Sequence, residues 1–401
     1  MLVRRRTVVL GAALSAPLAV WAEATSASAG PAAPSSVAVA WQRIALRTIF
    51  LDGGSPPPIG VHPLAFTSLA VDAAVRATHG MGANAARAAV ASAAHDVLVR
   101  YYGAFSGQLD ADLAASLARV PNVAAKAKGV RIGKAAAAAM IASRAGDGYL
   151  DASRVYSKPP GIGVWQPPTG GVMAAAWVGF LRPVVSIAPV VLDGPDAVGT
   201  PAYRAHYDEV RLLGSATSTM RTAWQTQTAQ FLNYITPLQY RDALCRHLDA
   251  EPLSLAATTH LFARLDAATS TSVIAAWRLK FDVGFWRPFQ AIHIADDGDT
   301  MTVQDAAWAP LIPNPAYSDY VSGHASVTAP FAETLRAMLG NDVRLALRNP
   351  VMGLERTYTL DGLEHDAFHA RIWGGLHFRD AMEDGYDLGH RTARAVAAVM
   401  G

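Results

Sequence analysis

The stretch Asp319-Tyr-Val-Ser-Gly-His-Ala-Ser326 leads into the apolar series Val327, Phe331, Leu335 and Leu339. That spacing predicts a helix over 323–340, with Ser322 just before it. Serine is a favoured cap, and a helix start presents unpaired amides to an anion. Gly323 has no side chain to keep a ligand from its N–H. His324, in the first turn, can exchange a proton with an oxygen of that anion. Alone, the tripeptide reads equally well as a capping serine before a surface histidine.

Two flanking pieces change its weight. Upstream, Lys280 is followed seven residues later by Arg287-Pro288. Seven residues of helix make about two turns, which points both cations the same way. Pro288 tends to push Arg287 out of the helical region. Lysine would meet an anion as a point charge and arginine as a planar fork. Downstream, Arg371-Ile-Trp-Gly-Gly-Leu-His377 has a double glycine that permits a tight turn. A neutral imidazole there can ligate a metal or attack phosphorus. Singly, each piece is a solvated lysine, a structural arginine or a core histidine. Jointly they supply three cations, a hydroxyl, a glycine amide and two imidazoles, a set that can hold a tetrahedral or trigonal-bipyramidal oxyanion.

The order and spacings resemble those of the vanadium-dependent haloperoxidases and the related type 2 phosphatidic acid phosphatases, whose joint motif is Lys-x6-Arg-Pro, Pro-Ser-Gly-His and Ser-Arg-x5-His. Phe285-Trp286-Arg287-Pro288, the 305–315 segment with Trp308 and Pro310, Tyr320, Gly214-Ser-Ala-Thr-Ser-Thr219 and 371–378 are similar to the soluble bacterial haloperoxidase branch. The resemblance implies a vanadate cofactor, with hydrogen peroxide and halide as reaction partners and an organic acceptor as an optional one. It implies that Lys280, Arg287 and Arg371 neutralise the equatorial oxygens and that Ser322 and the Gly323 amide add hydrogen bonds. His377 would be the one metal ligand, and His324 the acid–base group at the opposite apex. Lys280 would polarise bound peroxide. The sequence departs from the family in three places. Val321 replaces the proline before the serine, Ala370 replaces the serine before Arg371, and Asp380 stands three residues after His377 where many relatives have an acid at four. Whether Asp380 or Asp384 backs His377 is open, as is the role of Tyr317, seven residues before His324.

An alternative function fits the same residues. An exported acid phosphatase would use no cofactor, with His377 attacking phosphorus and His324 protonating the leaving oxygen. A non-catalytic anion-binding helical scaffold is a third reading, and it leaves two imidazoles beside the cations without a purpose.

Composition allows a large core. Of 401 residues 51% are hydrophobic and 16% charged, and abundant alanine favours helix over strand. The chain starts with Arg4-Arg5-Arg6-Thr7, an apolar run to about Trp21, and Ala27-Ser28-Ala29 before Gly30. This reads as an export signal over 1–29, the paired arginines suggesting the twin-arginine route and a periplasmic or extracellular destination. Its loss removes three arginines and one glutamate, taking the formal charge from +2 to zero. Nothing then favours nucleic acid or stable membrane insertion. Cys245 is the only cysteine, so no intrachain disulfide forms. An alanine-rich helical surface would permit a homodimer.

The expected fold is all-α, two packed four-helix bundles. Helices are predicted at 38–50, 61–79, 82–103, 109–118 and 122–146, all in an N-terminal half spanning 30–200. That half ends in an irregular Pro/Gly-rich connection over 147–200, anchored by Trp165 and Trp177. In the C-terminal half, 201–401, helices are predicted at 201–212, 217–234, 236–249, 253–283, 323–340, 341–348, 362–370 and 379–399, with a loop over 294–321.

Overall fold

The computed structural model describes residues 36–294 and 296–401. The expected signal over 1–29 lies outside them. The described chain is helical, with one small hairpin. In the N-terminal half the helices are α1 (Ser36–Leu46), α2 (Pro57–Ala77), α3 (Ala83–Tyr101), α4 (Ser106–Ala118) and α5 (Val123–Ser143). A single π-helical turn over Arg47–Asp52 extends α1. From 147 to 200 the chain is irregular save for a short 3-10 turn at Ala176–Phe180. Trp165 and Trp177 are buried there, as expected of anchors.

The C-terminal half holds α6 (Pro201–Gly214), α7 (Ala223–Phe231), α8 (Thr236–Ala250), α9 (Leu255–Asp282), α10 (Pro288–His293) and α11 (Ala325–Leu339). After the hairpin come α12 (Leu360–Trp373) and α13 (Arg379–Met400). The axis of the molecule is α9. Its 28 residues give it a length of about 42 Å. Ser254 caps its start, the hydroxyl accepting from the Ala257 amide at 3.2 Å. It is buried on nearly every side, among α1 and α2 in the N-terminal half and α11 and α13 in the C-terminal half. Its buried positions include Thr258, Thr259, Asp266, Ser270 and Ser272 beside the apolar ones, and it delivers Lys280 in its last turn.

Three boundaries differ from the expectation. The 341–348 segment is not a helix. It enters β1 (Arg344–Asn349), which pairs antiparallel with β2 (Leu354–Thr359), Arg344 facing Thr359 and Asn349 facing Leu354. Leu345, Leu347 and Asn349 point inward while Arg344 and Arg348 face solvent. That is a period of two, and Pro350 and Gly353 make the turn. Residues 217–222 are a turn rather than helix, because Thr222 and Gln225 form a capping box that starts α7 at Ala223. Finally, α9 ends at Asp282, Gly284 adopts φ +62, and Arg287 is extended as the residue before α10. A Cβ on Gly284 would sit 2.3 Å from the Tyr156 hydroxyl. Lys280 and Arg287 therefore do not share a helix face. Among the described residues, α2 alone is long and apolar enough to cross a membrane, and 78% of that stretch is buried inside the fold.

Candidate active site

Backbone carbonyls strap the three sequence pieces together. Lys280 is fully buried, and its Nζ donates to the carbonyls of Ser318 and Asp319, both at 2.8 Å. Arg287, also fully buried, donates through Nε to the Tyr317 carbonyl at 2.6 Å and through Nη2 to the Ser318 carbonyl at 3.4 Å. Its Nη1 donates to the Leu376 carbonyl at 2.7 Å. The first piece thus grips both others. The two cations meet at one carbonyl, although helical periodicity does not bring them there. Arg371 ends α12 at 4% exposure, its Nη1 donating to Asn233 Oδ1 at 3.0 Å.

Ser322 is fully buried, its amide donating to the Ala381 carbonyl at 2.8 Å and its hydroxyl lying 3.4 Å from the Ala325 amide. It thereby caps the first turn of α11, as the sequence suggested. The Gly323 amide makes no hydrogen bond within the described residues. A Cβ on Gly323 would lie 2.9 Å from the Trp277 ring, so that ring and a side chain there exclude each other. His324 is half-buried at the helix start.

His377, 2% exposed, has a neighbour that sequence reasoning missed. Its Nδ1 lies 2.8 Å from Asp319 Oδ1, and the carboxylate is equally buried. The pair is close in distance but off the line of a full hydrogen bond, and neither atom has another side-chain partner. A carboxylate at Nδ1 holds the proton on that nitrogen and leaves Nε2 with its lone pair free. The question left open for Asp380 and Asp384 is thus answered by neither. Asp380 Oδ2 accepts from the Asp196 amide at 2.9 Å, and Asp384 accepts from the Tyr320 hydroxyl. His365 and His369 pack against each other in a tilted pair along α12, and His369 stacks on Trp373. Asn233 was also missed. It sits in the short α7–α8 connection, with no spacing that ties it to Arg371.

Asp319→Asn should cut the activity carried by His377 by about 10–100-fold. An amide can turn its N–H toward Nδ1 and select the wrong tautomer. Steady-state rates of the two proteins check this, and equal rates would show the contact to be incidental.

The electrostatics favour an anion. Burial pulls the Lys280 ammonium well below its usual range, with Arg287 repulsion adding to it and Asp319 opposing. Burial also lowers Arg287, and it lowers Arg371 to about 10. Asp319 is pushed up to about 7 by burial, which outweighs the pull of Arg287 and Lys280. It therefore compensates the cations only in part, and no carboxylate pairs with Arg371 among the described salt bridges. The buried Nε of Arg371 has no partner. Three buried cations, one of them with an unpaired guanidinium nitrogen, together with a serine hydroxyl and a free amide, suit the oxygens of a compact oxyanion. Vanadate is one compact oxyanion with oxygens that suit this donor set.

Both histidines are held well below their usual range, chiefly by burial. Arg371, Arg287 and Lys280 add to the effect at His324, and Arg287, Lys280, Arg371 and His324 at His377. The sign follows. Below about pH 6.5 the unfolded chain takes up protons that the folded one refuses, so stability present above that pH is lost as pH falls. Asp319 and Asp380, raised to about 7, contribute with the opposite sign, so the histidine share is read as a difference: melting temperature should fall more steeply from about pH 7 to pH 5 without phosphate than with it. Parallel curves with and without phosphate would contradict this.

Residues 260–401 match the family model described as the VCPO second helical-bundle domain. In fold, the chain is similar to the crystal structure of the first bacterial vanadium-dependent iodoperoxidase, with TM-score 0.73 and 17% identity over 92% of this chain and 97% of that one. It is also similar to apo-type bacterial vanadium-dependent chloroperoxidase, with TM-score 0.68 and 15% identity over 86% and 94%. The holo-type structure gives 0.66 and 15% over 88% and 93%. No curated protein matches the chain in sequence.

Proposed function

We infer that this chain is a vanadium-dependent haloperoxidase that binds vanadate and oxidises halide with hydrogen peroxide to hypohalous acid, a reading supported by the match of residues 260–401 to the VCPO second helical-bundle domain. The observation that carries this is the cage of Lys280, Arg287 and Arg371, buried together with only one weakly acidic carboxylate for company. Buried charge of that density is stable only opposite an anion. Vanadate, when bound, supplies a Lewis-acidic centre that activates peroxide toward halide.

The chain's own groups do the rest. Lys280, Arg287 and Arg371 would hold the oxygens of the anion, and Ser322 and the Gly323 amide would add hydrogen bonds. His377 would offer Nε2 as ligand, the Asp319 carboxylate 2.8 Å from Nδ1 favouring the tautomer that leaves Nε2 free. His324, held neutral at the start of the helix, would serve as the proton acceptor and donor. Trp277 and Tyr317 wall the cage, their ring centroids 5.0 Å apart, and limit the water that would compete for the cations.

One observation supports a second reading, an acid phosphatase. A histidine backed by a buried carboxylate is also what a nucleophile toward phosphorus needs. A single preparation separates the two. With orthovanadate, peroxide and bromide or iodide, the first reading expects halogenation of a reporter phenol that vanishes when vanadate is withheld. Brisk hydrolysis of p-nitrophenyl phosphate, with no halogenation on adding vanadate, would reverse the assignment. Export belongs to the same proposal, on the strength of the Arg4-Arg5-Arg6 signal pattern. Intact Met1 on protein recovered from the periplasm or medium would count against it.

A further inference from the structure

The wall of the cage carries a phenol. Tyr317 is half-buried, with its ring 5.1 Å from Lys280 Nζ and 5.0 Å from the Arg287 guanidinium carbon. Its carbonyl accepts from Arg287 Nε at 2.6 Å, so the residue is tied to the cage by backbone as well as ring. Its hydroxyl makes no hydrogen bond within the described residues, and it lies within electrostatic reach of Arg371 and Arg287. Tyr240 also lies within electrostatic reach of Arg371, but it is buried and its hydroxyl is bonded to that of Thr328. Six of the twelve tyrosines are buried. Tyr101, Tyr102, Tyr149 and Tyr234 pack against the N-terminal core, and Tyr386 donates to the Glu364 carbonyl on α12.

We propose that Tyr317 is a site of self-halogenation, modified by hypohalous acid before that product escapes the cage. This rests on the haloperoxidase reading. The step balances. Peroxide, halide and a proton give hypohalous acid and water. The halogen then bonds to the ring carbon beside the phenol oxygen, and the C–H bond breaks. The displaced proton leaves with the hydroxide of hypohalous acid as a second water. The ring is oxidised by two electrons and the halogen is formally reduced from +1 to −1. The product is a more acidic phenol facing Arg371 and Arg287, and it would compete with the oxyanion for them.

The test uses the full chain loaded with orthovanadate, turned over with peroxide and iodide. A reporter phenol is present in excess to consume whatever iodine species reach bulk solution. Peptide mass spectrometry should find a hydrogen-for-iodine exchange on Tyr317, persisting at reporter concentrations that abolish iodination of the other tyrosines. Withholding vanadate should abolish it, and Tyr317→Phe should lose fewer active sites per turnover than the parent. The inference is overturned if the reporter is iodinated while Tyr317 stays unmodified. It is overturned equally if the reporter protects Tyr317 as well as it protects the rest. If the reporter itself is not iodinated, the haloperoxidase reading fails first and takes this one with it.

Discussion

Arg371→Met is expected to leave the ligand-free protein at least as stable as the parent while weakening its hold on phosphate or vanadate by about 100-fold, or roughly 2.7 kcal/mol. The two halves of this result have one cause. Arg371 is 4% exposed, its single side-chain partner is Asn233, and its Nε has none. Burial has drawn it down to about 10. A charge taken out of water with so little in return costs the fold free energy, and an apolar side chain of similar length is neutral to stabilising there. Met also fills the channel without the strain of a branched residue. An oxyanion, by contrast, loses a charge-assisted donor in a site that excludes water. Thermal melts with and without phosphate, beside a direct titration, read both quantities. A variant that melts well below the parent without ligand, yet binds phosphate as tightly, would show Arg371 to be structural and empty the cage argument.

His324→Ala should lower turnover by about 10²–10⁴-fold and spare most of the oxyanion affinity. The imidazole is neutral because burial and three cations refuse it a proton. A bound oxyanion offsets those cations, so binding should draw a proton onto His324. The heat of oxyanion binding should then vary with the ionisation enthalpy of the buffer in the parent and lose most of that dependence in the variant. Unchanged turnover in His324→Ala would remove it from the chemistry altogether.

Much of this site could be read from the chain because each piece is short and self-contained. Lys280, Arg287, Ser322, Gly323, His324, Arg371 and His377 lie in three segments whose internal spacing survives without knowledge of the fold. Their convergence depends on long-range bonds to the carbonyls of 317–319 and 376, and those carry no residue-type signal. Asp319 was quoted with the motif yet not recognised. Its partner His377 is 58 residues away, and the acid expected for that work was sought on the far side of the histidine. Asn233 is a lone amide in a connection, and nothing local marks it. The helices were legible where a cap and a long apolar period agreed, as in α9 after Ser254. They failed where a short segment could satisfy either period. Leu345 and Leu347 read as part of a helix until β2 supplies the partner strand that makes their alternation meaningful.

The cage described here measures shape and charge, not elemental identity. Lys280, Arg287 and Arg371 would greet any tetrahedral tetraoxo ion, and phosphate is ordinarily the more plentiful. The fraction of molecules ready for work is therefore set by competition at a common berth, through the ratio of each ion's concentration to its dissociation constant. A preparation washed in phosphate would look inert until the tenant was exchanged. On the proposed haloperoxidase function, phosphate scarcity would act on this protein as an activator.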